Sequence, residues 1–182
     1  MQTRHQDRSA YFEETATSCR NYYLPYIEQH TSLKFGRNCR VMEVGCGFGG
    51  ILSIFAAKGA TVTGIDIHKP SIETAKTLFA ERGLKGTFIC SDIFDYSDTQ
   101  PYDLIILHDA LEHIPEKERL MLHLKSFLKA DGLLYLGFPA WQMPFGGHQQ
   151  MAKNRIIANC PYIHLLPRSL FRFVFRACGE KE

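Results

Sequence analysis

Between Arg40 and Phe138 the chain alternates two hydrophobic patterns. Short apolar, β-branched runs predict strands at Arg40–Val44, Thr61–Ile65 (ending at Asp66), Gly86–Ser91 (reaching Asp92), Tyr102–Leu107 and Leu133–Phe138. Between them, apolar residues recur every three or four positions. Ile51, Ile54 and Phe55 predict a helix over Ile51–Lys58, ended by Gly59. Ile72, Ala75 and Phe79 form one face of a helix opened by Pro70 and ended by Gly83. Leu120, Leu124, Phe127 and Leu128 predict a third over Glu116–Lys129, with Asp131-Gly132 as its stop. Residues 8–31 are aromatic and read as helical with a break at Pro25. The closing PRSLFRFVFRACGEKE predicts a last helix. Its Arg168, Arg172 and Arg176 stripe beside Leu170, Phe171, Val174 and Phe175 reads as the solvated face of a sheet-packing helix, in preference to a contact with anionic lipid headgroups.

Alternating strands and helices, with the strands nearly all apolar, imply parallel strands covered on both faces and joined by right-handed crossovers. The fold class is therefore α/β, a Rossmann-like doubly wound and mainly parallel sheet. Ligands of such sheets sit beyond the carboxyl ends of the strands. Gly45, Asp66, Asp92, His108 and Pro139 close the five predicted strands and would line one crevice.

The first strand runs into VMEVGCGFGG, which supports two readings. Gly45, Gly47 and Gly50 match the dinucleotide pattern GxGxxG; Glu43, Gly45, Gly47 and Gly49 match ExGxGxG. In either, a glycine turn lets backbone N–H groups face a ligand. Asp66 suits both, because a carboxylate after the second strand grips ribose hydroxyls. Glu43 separates them. It lies inside the strand, and a buried carboxylate needs a cationic ligand or backbone N–H groups as partners. Asp92 places another acid at the third strand end, where it can accept from an adenine amino group.

Bulk properties narrow the classes. With 182 residues, 45% of them hydrophobic, the chain suits one domain, 1–182. A net charge of +2 argues against a nucleic-acid partner. No apolar run reaches the length of a membrane span, so stable insertion is not expected. The polar start MQTRHQDRSAYFEE is no secretory signal. Six cysteines without a C-x-x-C pair exclude the common zinc pattern and suit free thiols in a cytoplasmic protein. Cys46 and Cys90 read as small apolar fillers at strand ends.

EVGCGFGG, GIDIH, CSDIFD and YDLIILHDALEHIP, in this order and spacing, resemble the class I S-adenosylmethionine-dependent methyltransferases, nearest to the branch with ubiquinone-biosynthesis O-methyltransferases. The resemblance covers roughly residues 38–140, with 1–37 as an N-terminal helical segment and 141–182 as an acceptor-side loop and last helix. It implies S-adenosylmethionine as cofactor and S-adenosylhomocysteine as product. Glu43, Gly45, Cys46, Gly47 and Gly49 would hold the methionine end. Asp66 would hold the ribose, Ile67 and Ile93 the adenine faces, Asp92 the adenine amino group, and His108 the methionine part through its backbone. Members of this branch usually add an antiparallel hairpin after the last helix, and this sequence shows no such hairpin.

The resemblance implies methyl transfer to a small-molecule or lipid-like acceptor, with oxygen favoured. A cofactor-binding module without turnover, or a nicotinamide-dependent oxidoreductase, are the alternatives. His113, His148 and Asp109 are candidate bases. For Glu112 and His113 the preferred reading is that they hydrogen-bond the loop and cap the following helix. His108 and Glu112 lack a third ligand at useful spacing, so no metal is expected. In FPAWQMPFGGHQQ, Trp141, Phe145 and His148 are candidate acceptor contacts, with Met143 beside them; a loop covering the sheet fits equally. The segment 151–167 reads as an irregular insertion or lid. Tyr11, Tyr22, Tyr23 and Tyr26 are candidates to close over the cofactor; a helix simply packed on the domain fits at least as well.

Overall fold

The computed structural model describes residues 7–145 and 152–179. They form two compact units, one within 2–138 and one within 139–182. In the first, five strands make one parallel sheet in the order β3-β2-β1-β4-β5. These are β1 (Arg40–Val44), β2 (Thr61–Asp66), β3 (Thr87–Cys90), β4 (Tyr102–His108) and β5 (Leu128–Gly137). The chain order reverses between β1 and β4, the point at which such sheets open a ligand crevice.

Side-chain alternation on the strands divides the core into two layers. Val41, Val62, Leu104 and Ile106 face the helices α1 (Arg8–Ser18), α2 (Leu24–His30), α3 (Gly50–Ala57) and α4 (Lys69–Glu81), with Phe12, Phe55 and Phe79 between them. Met42, Val44, Ile65, Ile105 and Leu107 face Leu120 and Leu124 of α5 (Lys117–Ser126). Glu43 shares the parity of Val41, so a carboxyl stands in the layer that α1–α4 cover.

Three local expectations need correction. Pro25 does not break the N-terminal helix: a π-helical turn, Cys19–Tyr23, joins α1 to α2 and puts Pro25 in the first turn of α2. The widened turn accommodates the ring and the missing N–H donor, which an unbroken α-helix tolerates poorly. The helix predicted over Glu116–Lys129 ends at Ser126, and Leu128 already belongs to β5. Asp131-Gly132 is a bulge inside that strand, since Tyr102 pairs with Leu128 and Leu104 with Leu133. A Cβ on Gly132 would come within 2.9 Å of the Tyr102 carbonyl oxygen, which accounts for the glycine there. Cys46 is buried as expected, whereas Cys90 is exposed and fills no core position.

The amino ends of the strands are tied by polar contacts. Arg40 pairs with Asp98 at 2.7 Å, and Asp98 accepts from the hydroxyls of Tyr102 (2.7 Å) and Tyr96 (3.1 Å). Asp103 accepts from the Arg40 N–H and pairs with Lys129.

The second unit holds α6 (Arg155–Ala158), a 3₁₀ turn (Ile163–Leu165) and α7 (Arg168–Ala177). The last helix forms where predicted, with Arg168, Arg172 and Arg176 exposed and Phe171, Val174 and Phe175 half-buried.

Candidate active site

The glycine turn after β1 is shaped by packing and by left-handed backbone. A Cβ on Gly45 (φ +74) would lie 2.6 Å from Ala110 Cβ, so glycine here lets the β1 and β4 turns touch. At Gly50 a Cβ would fall 2.0 Å from Thr15 Oγ1 and 2.4 Å from the Phe12 carbonyl oxygen. That glycine admits α1 rather than a ligand.

The N–H groups of this turn are already engaged within the protein. Those of Gly45 and Cys46 donate to the Ile65 carbonyl, that of Gly47 to Asp66 Oδ2 at 2.9 Å, and that of Gly49 to the Cys46 carbonyl. The sequence suggested that they face a ligand; these four do not. A pyrophosphate would find two carboxylates beside the turn and few donors.

Glu43 is 3% exposed. The backbone N–H of Leu52, in the first turn of α3, bonds its carboxyl, while Oε2 has no hydrogen-bond partner. Burial first, and then nearby Asp66, push its pKa well above the usual carboxylate range, against the Leu52 bond. A buried acid with one orphaned oxygen suits a cation.

Beyond the carboxyl ends of β1–β4 lies a cleft of about 720 Å³. Of the sequence-derived cofactor set, Gly45, Asp66, Ile67, Asp92 and Ile93 line it; Glu43, Cys46, Gly47, Gly49 and His108 do not. Asp66 Oδ1 accepts from the His68 N–H, which orients the carboxylate together with Gly47. Asp92 caps the 3₁₀ turn Ile93–Asp95 by accepting from the Phe94 N–H. Ile67 is 76% exposed, an apolar blade at the rim. Five carboxyls, those of Asp66, Asp92, Asp95, Asp109 and Glu116, line the cleft against one arginine, Arg119. This balance favours a cationic ligand over a phosphate-bearing one.

The β4 turn supplies the candidate bases. Asp109 has φ +50, and its N–H donates to the Gly137 carbonyl at 2.9 Å. A left-handed non-glycine residue is a strained device, found mostly where position matters. His113 lines the same cleft with its side chain 75% exposed, and its Nε2 lies 4.0 Å from Glu112 Oε1. Neither Glu112 nor His113 caps α5. Glu116, in a left-handed conformation, precedes that helix, and Lys117 Nζ satisfies the Leu111 and Ile114 carbonyls instead. His108 turns away from the cleft lining. Its ring packs at a tilt against Tyr23, with centroids 4.6 Å apart, and a Cβ on Gly137 would strike it at 2.6 Å.

Tyr11 stands edge-on to Phe48 at 5.8 Å. Burial raises its pKa, with the charges of Asp109 and Glu43 adding to the effect. Sequence reading did not single out Phe94 and Arg119, which line the cleft with the guanidinium 4.2 Å above the ring. It also did not single out His123, whose Nε2–H donates to the Ile93 carbonyl and fixes that wall. Only the fold brings these residues together.

In the second unit Trp141 is 57% exposed and Phe145 half-buried. The Trp141 carbonyl accepts from Nε2 of buried His164 at 2.6 Å. His148 lies outside the described residues.

Residues 35–177 match a family described as "Methyltransferase domain". The ubiquinone biosynthesis O-methyltransferase of Coxiella burnetii is 39% identical over 114 residues, covering 62% of this chain and 47% of that protein. The chain thus spans about half the length of the curated relatives it matches. Among solved structures, plantazolicin methyltransferase BpumL with a triazolic desmethylPZN analog and SAH aligns over 74% of this chain and 55% of its own, at 22% identity and TM-score 0.58. Coclaurine N-methyltransferase bound to N-methylheliamine and SAH covers 63% of this chain and 34% of its own, at 24% identity and TM-score 0.56. Both share the fold.

Proposed function

This chain belongs to the methyltransferase-domain family, and from that premise we propose that it transfers a methyl group from S-adenosylmethionine to the oxygen of a small-molecule or lipid-like acceptor. The observation that carries this reading is the acidic cradle: Glu43 buried with an orphaned oxygen, Asp66 and Asp92 in line, and the glycine turn's N–H groups engaged elsewhere. Glu43 would hold the methionine end, Asp66 the ribose hydroxyls, Asp92 the adenine amino group, and Ile67 and Ile93 the faces of the base. The cofactor supplies a methyl group on a sulfonium, a leaving group that needs no protonation. The preference for oxygen is supported by the O-methyltransferases among the relatives.

The chain's own residues do the remaining work. Tyr11 and Phe48 exclude water near Asp109 and Glu43. Asp109, held by its strained backbone, positions the acceptor. His113 accepts the acceptor's hydroxyl proton, and the Glu112 carboxyl beside it favours the imidazolium that results.

The test is label transfer from S-adenosylmethionine to a panel of phenols, amines and carbon acids. Label on a phenol oxygen is expected, with His113→Gln lowering kcat about 10²–10⁴-fold at unchanged S-adenosylhomocysteine affinity. Label on nitrogen or carbon alone would refute the oxygen preference. Tight binding without turnover on any acceptor would favour a non-catalytic binding module.

A further inference from the structure

We propose that the second unit binds a hydroxylated aromatic molecule whose O–H donates to His164 Nδ1, as the acceptor of the methyl transfer proposed above, on which this assignment rests. His164 is 7% exposed, buried like Ile157 and Ile163 of the same unit. Its Nε2–H donates to the Trp141 carbonyl at 2.6 Å, which fixes the tautomer of the neutral ring and leaves Nδ1 as an acceptor. Among the described residues nothing donates to that nitrogen. A buried acceptor without a partner costs about 1–3 kcal/mol. A ligand that brings a hydroxyl to it relieves that cost; a ligand without a donor does not.

The surroundings select the rest of the ligand. The Trp141 indole stands edge-on to the imidazole, with centroids 4.9 Å apart. The Tyr162 N–H donates to the Pro144 carbonyl at 2.6 Å, a second tie between residues 139–145 and the 3₁₀ turn that carries His164. Tyr162 has φ +63, a left-handed backbone that costs a non-glycine residue about 1–3 kcal/mol and persists only where the surrounding structure enforces it. Its side chain stays exposed, as do those of Trp141, Met143 and Leu165. Exposed indole, phenol and thioether groups offer flat, polarisable surface to an aromatic body. Residues 139–166 contain no Asp or Glu, so a cationic ligand would find no carboxylate there. A neutral phenol meets every condition: it has an O–H to donate, a planar apolar body and no positive charge.

Trp141 is the only tryptophan of the chain, so its emission reports on the neighbourhood of His164. Titration of the full chain with para-butylphenol and with its methyl ether, para-butylanisole, tests the proposal. The phenol should change the emission saturably, and the ether, which has no O–H to donate, should bind about tenfold or more weakly. His164→Phe should bind the two alike. His164→Gln should do the same, because it keeps a donor for the Trp141 carbonyl but offers no acceptor in place of Nδ1; circular dichroism identifies which of the two variants keeps the parent's fold. Absence of a saturable change with the phenol would overturn the proposal. So would equal affinity of the parent for phenol and ether, or a folded variant that keeps the parent's preference. Isothermal titration of the same chain with S-adenosylhomocysteine reads the underlying assignment separately, and both variants should bind it as the parent does. A parent that prefers the phenol but does not bind S-adenosylhomocysteine would overturn the methyl-transfer reading and leave the phenol site standing.

Discussion

Glu43 occupies a position that Val41 and Ile106 would make apolar by parity, and it is less stable there than an apolar or amide residue would be. Its folded-state pKa lies above the unfolded value of 4.5. A group shifted in that direction contributes stability that is intact below the unfolded value and is lost as the pH rises through the folded one. Glu43→Gln should therefore stabilise the ligand-free chain by about 1–3 kcal/mol at alkaline pH and leave it little changed near pH 4. Thermal melting across that range checks this. The same substitution should weaken S-adenosylhomocysteine binding about tenfold or more, because a charge-assisted contact is lost. If a cation neutralises Glu43, binding to the parent should release protons, seen as a dependence of the binding enthalpy on buffer. Asp98 has the opposite sign. Burial raises its pKa, but the Gln100 N–H, the Tyr102 and Tyr96 hydroxyls and Arg40 outweigh burial and hold it below 3.8. Its contribution is present above that value and lost as the pH falls through the lower, folded one. Asp98→Asn should flatten the acid limb of a stability–pH curve, while leaving ligand affinity at neutral pH alone.

At the scale of elements, β1, its turn and α3 are held against α1 by the absence of one side chain. Gly50→Ala sets a methyl group against Thr15 and the Phe12 carbonyl. Overpacking of this kind costs about 1–3 kcal/mol, measurable as a lower urea midpoint. Ligand affinity should fall as well, because α1 carries Tyr11 to the site. A variant as stable as the parent would mean that α1 is not bound there as described. The sequence made β1, β2, β4 and α4 legible because each has a single uninterrupted period. It misled at Leu128, whose apolar side chain continues both the helical row of α5 and the first pairing of β5; only sheet register separates these. Pro25 misled because a π turn is a tertiary accommodation with no periodic signature. The four N–H bonds of the glycine turn were equally hidden, since they depend on where β2 brings Ile65 and Asp66.

For the molecule as a whole, the parallel order with its reversal between β1 and β4 gathers acids distant in sequence into one cleft. Gly45, Asp66 and Asp92 at strand ends were readable because topology alone places them, whereas His108 packs on Tyr23 outside the lining. Phe94 and Arg119 were not, because they reach the cleft through a 3₁₀ turn and a helix face, and His123 acts behind them on the Ile93 carbonyl. The central claim is that the glycine turn and its carboxyls serve a sulfonium cofactor and not a dinucleotide. Isothermal titration of this chain with S-adenosylhomocysteine and with NADH, alongside Asp66→Ala, tests it most directly. The account predicts binding of S-adenosylhomocysteine alone, weakened about tenfold or more by Asp66→Ala through loss of the charge-assisted ribose contact. Binding of NADH, or an S-adenosylhomocysteine affinity indifferent to Asp66, would contradict it.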